Sequence, residues 1–258
     1  MALFETNNPT LSQKIFDRSL HAEAELQGTM SVRGTINKFG FLMVMVIAGA
    51  AFTWQQIYSG QPQSATAYMF GGLIGGLVVA LAISFKPNWA TYLAPIYGIL
   101  EGLCLGAISA IINQAMQKKY PGIVLQAVGL TFGVAMAMFL LYNFRIIKVT
   151  EKLKGVIMSA TLGIALFYGI VFILRLFHVD VPFMNWDNAG FLGIGISLFV
   201  VAVAALNLLL DFDRIEQGAA MGAPKYMEWY SAFGLLVTIV WLYIEILKLL
   251  TRLANSRN

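Results

Sequence analysis

Glu101, Asp211 and Glu245 are carboxylates set inside long apolar runs, where an ionised oxygen has no water to answer it. An isolated charge at that depth costs several kcal/mol unless it is paired, solvated or protonated, so intramembrane acids mark ion or proton pathways by default. The densest stretch is residues 207–218, N-L-L-L-D-F-D-R-I-E-Q-G. On a helix, Asn207, Asp211 and Arg214 recur at i, i+4 and i+7 and share a face, whereas Asp213 points roughly 200° away from Asp211 at ~100° per residue. Asp211 is therefore expected to be a buried functional or latch carboxylate. Asp213 and Glu216 are expected on a solvated cytoplasmic rim.

Other chemistries find no residues to carry them. The only histidines, His21 and His178, fall in a polar tail and an outer loop, so no intramembrane histidine metal site or histidine-based catalytic pair can form. Cys104 is the sole cysteine and lies in an apolar run, which excludes a disulfide framework and leaves a small buried hydrophobe. Gly193-Ile194-Gly195 is not embedded in a nucleotide fingerprint, and Asp211-Phe212-Asp213 lacks the further acid and glycine of an EF-hand loop. The expectation is a protein that is not an enzyme and has no cofactor.

The elements that must position these acids are membrane spans. Hydrophobic residues make up 59% of the 258 and charged residues only 12%, against about 25% charged in soluble domains. Seven runs of about 20 apolar residues, each long enough for a core of ~30 Å, cover 39–58, 66–85, 94–115, 123–144, 155–177, 189–217 and 226–251. The fold class is thus an all-α membrane protein. It divides into a cytoplasmic tail over 1–38, a transmembrane domain over 39–253 and a short tail over 254–258. Leu11, Ile15 and Leu20 outline a weak amphipathic helix in the first tail. With the N-terminus inside, 11 of the 17 Lys and Arg fall in cytoplasmic segments and 6 outside, which favours N-in and C-out. The modest net charge of +4 suits orientation rather than nucleic-acid binding.

Two spans carry patterns of their own. Gly98, Gly102, Gly106 and Ala110 form a ladder of small residues along the third, a seam for close helix approach, with Glu101 one residue off it. If that helix starts near Ala94, Glu101 lies ~10 Å deep at ~1.5 Å per residue, about as deep as Asp211. In the last span Ser231, Gly234, Thr238, Trp241, Glu245 and Lys248 step by three and four, so a small and polar stripe should face inward. Glu245 and Lys248 can alternatively form a simple pair near the outer surface.

The whole chain resembles the Bax inhibitor / YccA family of seven-span membrane proteins, in its bacterial branch. The resemblance rests on Asn8-Pro9 with Leu11 and Phe16, on Glu101-Gly102, on Leu210-Asp211-Phe212-Asp213-Arg214-Ile215-Glu216, and on the ending from Trp229 to Leu250. It implies six helices around a central last helix, a bacterial inner-membrane location, and a pH-sensitive calcium leak gated by one acid on each of spans six and seven. Asp211 matches the span-six acid. For its partner, the family's L-Y-L-D-F pattern selects Glu245, while matching the helix ends selects Thr238, which depth favours. With Thr238 there, Glu101 is left as a source of the second carboxylate.

Two classes of function follow. One is a proton-gated cation leak in which Asp211, with Glu101 or Glu245, forms a carboxylate site that a shared proton closes and its loss opens. The other is an interaction protein acting on a membrane protease or a stress-response partner. Its support is the polar tail and the glycines at 71, 72, 75 and 76.

Overall fold

A computed structural model describes residues 28–60, 62–186 and 188–256. Seven helices long and apolar enough to cross a membrane account for most of them. They are α1 (Val32–Tyr58), α2 (Pro62–Phe85), α3 (Ala90–Met116), α4 (Ile123–Asn143), α5 (Glu151–Leu176), α6 (Phe191–Ala220) and α7 (Met227–Ser256). Short 3-10 turns at Pro87–Trp89 and Pro182–Met184 lead into α3 and towards α6, each beginning at a proline whose fixed φ suits a first helical position.

The last helix is the hub. Of its most apolar window 67% is buried inside the protein, against 17% to 50% for the other spans, and it packs on α1, α3, α4 and α6. The α1–α3 seam forms where the glycine ladder was expected. A Cβ added at Gly102 would lie 2.2 Å from the Val46 carbonyl oxygen, and one at Gly106 would lie 2.3 Å from that of Ala50. Backbones at this distance exclude any side chain, so the ladder is obligatory for the packing. Three of the glycines in the second span also face α3, one of them against its backbone. A Cβ at Gly72 would come within 2.4 Å of the Leu100 carbonyl oxygen of α3, Gly75 faces Leu100 and Gly76 faces Glu101, whereas nothing lies near Gly71.

The boundaries differ from the sequence expectation at both ends. The first helix starts at Val32, inside the supposed tail, because the Ser31 hydroxyl accepts a hydrogen bond from the Gly34 amide at 3.0 Å and caps it. Lys38, the last residue of the expected tail, sits on the helix and reaches a carboxylate of α7. The Thr150 hydroxyl likewise caps α5, which therefore begins at Glu151 rather than 155. At the other end α7 continues to Ser256, through most of the expected C-terminal tail. The amphipathic pattern of Leu11, Ile15 and Leu20 lies outside the described residues.

Candidate ion-pathway site

Helices α6 and α7 run antiparallel about the turn at Met221–Tyr226, and Asp211 and Thr238 stand at matching depth on either side of it. Asp211 is nine residues from the end of α6, roughly 14 Å at ~1.5 Å per residue. The Thr238 hydroxyl donates to Asp211 Oδ2 at 2.6 Å, and Thr238 Oγ1 also lies 3.3 Å from the Gly234 carbonyl oxygen. The choice between Thr238 and Glu245 as the residue facing Asp211 thus falls to Thr238. Arg214 approaches Asp211 Oδ1 only to 3.9 Å, with its own side chain 65% exposed against 13% for Asp211. A shared helical face therefore does not make a tight latch, since the guanidinium stays in solvent.

Asp213 departs from expectation. It is not a solvated rim residue: its side chain is 12% exposed, about as withdrawn as that of Asp211. Lys154 of α5 meets Asp213 Oδ2 at 3.0 Å, and Gln217 donates to the same oxygen at 2.6 Å. The periodicity correctly sends the two aspartates to different neighbours, but the second direction is occupied by α5 rather than by water. Asn207, one turn deeper, also turns to α5, donating to Thr161 Oγ1 at 2.8 Å and to the Val203 carbonyl at 2.9 Å. It takes no part in holding Asp211. Glu216 is clamped by the Tyr142 hydroxyl and by Arg145, whose charged form the carboxylate stabilises so that its pKa rises.

Glu101 faces elsewhere. Its carboxylate, like the ring of Tyr97 one turn earlier, lies beside Gly76 of α2. Among the described contacts none joins it to Asp211, so equal depth does not bring the two acids together. Glu245 is two turns beyond Thr238 on α7, roughly 10 Å further at ~1.5 Å per residue. It is buried, not a surface residue, and so is Lys248. The Tyr168 hydroxyl of α5 donates to Glu245 Oε1 at 2.8 Å, while Lys248 stays 3.9 Å from Oε2, which has no hydrogen-bond partner among the described residues.

Two charged residues with structural weight escaped the sequence reading. Glu228, which composition alone leaves indistinguishable from a rim acid, has a fully buried side chain. Its Oε1 accepts from the Ser31 amide and hydroxyl, each at 2.9 Å, and from Lys225 at 2.8 Å, while Lys38 bonds Oε2. Arg252 is the largest fully buried side chain among the described residues. It donates to the carbonyls of Gly193, Phe183 and Asn185 and to the Ser197 hydroxyl. The one available signal was its position on the polar stripe of α7, a turn beyond Lys248.

A profile of the Bax inhibitor 1 like family matches residues 8–255. The chain belongs to that family. No individually curated protein matches it. In this Bax inhibitor 1-like protein Asp211 on the sixth span faces a threonine on the last. Among the described residues no three His, Cys, Asp or Glu side chains gather into a metal cage. What the seam offers is one carboxylate, one hydroxyl and one helix carbonyl, a set of oxygens that suits brief coordination of a hard cation.

Proposed function

We propose that this protein is a pH-sensitive cation leak, with calcium as the cation, in which Asp211 is the group that senses protons and meets the ion. The observation that carries the reading is the placement of the Asp211 carboxylate against Thr238, in the seam between α6 and the most buried helix of the bundle. A protonated Asp211 is a neutral partner for Thr238 and keeps the seam closed. An ionised Asp211 leaves a negative charge in a site where the nearest cation is 3.9 Å away and mostly solvated, and a hard cation can neutralise it through oxygen ligands. Weak, single-carboxylate coordination fits a leak, because a conducting site must release what it binds. The protein is oriented with its N-terminus and the basic 145–154 segment in the cytoplasm, and Asp211 faces the cytoplasmic half. Its membrane is the bacterial inner membrane.

Calcium flux into proteoliposomes, measured over pH ~5 to ~8 where buried carboxylates titrate, tests this. Wild type gives a flux that depends on pH, and Asp211→Asn, whose amide mimics the protonated acid, gives low flux throughout. Overlapping curves for the two proteins defeat the gating role. Absence of flux from the wild type, together with capture of a membrane protease by the intact protein, would move the assignment to the interaction reading.

A further inference from the structure

Glu245, Lys248 and Tyr168 form a second polar cluster on the same face of α7 as Thr238, since seven residues are within about 20° of two full turns. Its geometry is unusual for a buried ion pair. Lys248 is 7% exposed and Glu245 4%, yet their charged atoms are 3.9 Å apart, and among the described residues the ammonium's hydrogen bond goes to the Tyr168 hydroxyl at 3.4 Å. Among the described residues Glu245 Oε2 has no hydrogen bond. The ammonium also lies over the Tyr168 ring, 5.0 Å from its centre.

The neighbouring cation behaves differently. Arg252 has its guanidinium directed to three carbonyls and a hydroxyl, so it is a fixed bolt between α7 and the start of α6. Lys248 has a flexible four-carbon stem and only long contacts, 3.4 Å to the Tyr168 hydroxyl and 3.9 Å to Glu245, among the described residues. Arg175 and Arg252 repel it, and among the described residues Glu245 is the acid that attracts it. A cation leaving the Asp211 seam along α7 would meet the oxygens of Glu245 and Tyr168, but the lysine ammonium already stands beside them.

We propose that Lys248 is a tethered cation that occupies the place beside Glu245 which a passing metal ion would take, and so closes the outer end of the pathway. The inference rests on the cation-leak reading. It adds a second control point, independent of Asp211, at which the block is a side chain of the protein itself. Opening requires the ammonium to swing away from Glu245, leaving the carboxylate and the Tyr168 hydroxyl as oxygen ligands.

The test is calcium flux in proteoliposomes for the intact protein carrying Lys248→Met, Lys248→Arg, Lys248→Ala or Asp211→Asn, each first checked for folding by size exclusion and thermal unfolding. Lys248→Met raises flux several-fold over wild type, and Lys248→Arg leaves it at the wild-type level. Lys248→Ala also leaks, and added propylammonium, which restores a cation to the vacated place, lowers its flux again. A merely structural lysine predicts no such rescue. The double variant Glu245→Gln with Lys248→Met leaves no unpaired buried charge, so it keeps the test open if the single variants misfold; its flux is above that of wild type. Folded Lys248 variants with flux at or below wild type, or no response to the amine, overturn the tethered-cation inference while an altered Asp211→Asn curve leaves the leak itself standing. No flux from any protein overturns both.

Discussion

The Asp211 seam and the Glu228 latch lie towards the same end of the bundle, and each centres on a carboxylate withdrawn from solvent. They differ in what answers the charge. Around Glu228 stand two ammonium groups, a backbone amide and a hydroxyl, and the site joins the start of α1 to the start of α7. The chain reinforces this junction, with the Met30 amide donating to the Ala223 carbonyl at 2.7 Å. It is built so tightly that a Cβ at Gly34 would lie 2.1 Å from a Glu228 oxygen. Around Asp211 stand one hydroxyl and a distant arginine. Burial alone therefore does not identify a working acid. A carboxylate saturated by cations and donors is held in one state, whereas one with a single neutral donor can exchange a proton or an ion for little reorganisation.

That contrast can be broken by separating stability from pH response. The largest expected effect is on Asp211→Asn, which removes the pH dependence of flux while leaving thermal stability near wild type, because the amide retains the hydrogen bond from Thr238. A large loss of unfolding temperature in this variant would make Asp211 a structural acid like Glu228. Next comes Glu228→Gln. It leaves Lys38 and Lys225 without their charge partner and should lower stability by about 2–3 kcal/mol, read by thermal or denaturant unfolding in detergent, with the shape of the flux–pH curve unchanged. A changed curve with intact stability would reverse the two roles.

Gly102→Ala tests the frame that holds both regions. Its new methyl would overlap the Val46 backbone, and separating α1 from α3 should cost about 1–3 kcal/mol, whereas Gly71→Ala, with open space around it, should cost nothing measurable in the same assay. The smallest effect is expected for Asp213→Asn. Its partner Lys154 is partly exposed and can turn to Glu151, which already lies 3.1 Å away, so the loss should be about 1 kcal/mol with little change in flux. If Asp213→Asn instead shifts the pH profile as strongly as Asp211→Asn, the two aspartates act as one coupled site.

The number of spans, the α1–α3 glycine seam and the inward polar stripe of α7 were legible in the sequence. Each follows from a local rule: run length against bilayer thickness, small residues four apart, and helical periodicity. The placement of Thr238 opposite Asp211 was legible too, because an antiparallel hairpin pairs residues equally far from its turn. What periodicity could not supply is the identity of the neighbour in a given direction. It turned Asp213 away from Asp211 but could not say that α5 would be there with Lys154, and it put Glu101 at the depth of Asp211 without showing that Glu101 looks towards α2. Charges near helix ends suffered most. Lys38, Glu228 and Arg252 resembled solvated ends in one dimension, and only the tertiary arrangement joined Lys38 and Ser31 to Glu228 and the Gly193 carbonyl to Arg252. A helix determines the direction of its side chains from its own sequence, whereas the partner that waits there is set by how all seven helices pack.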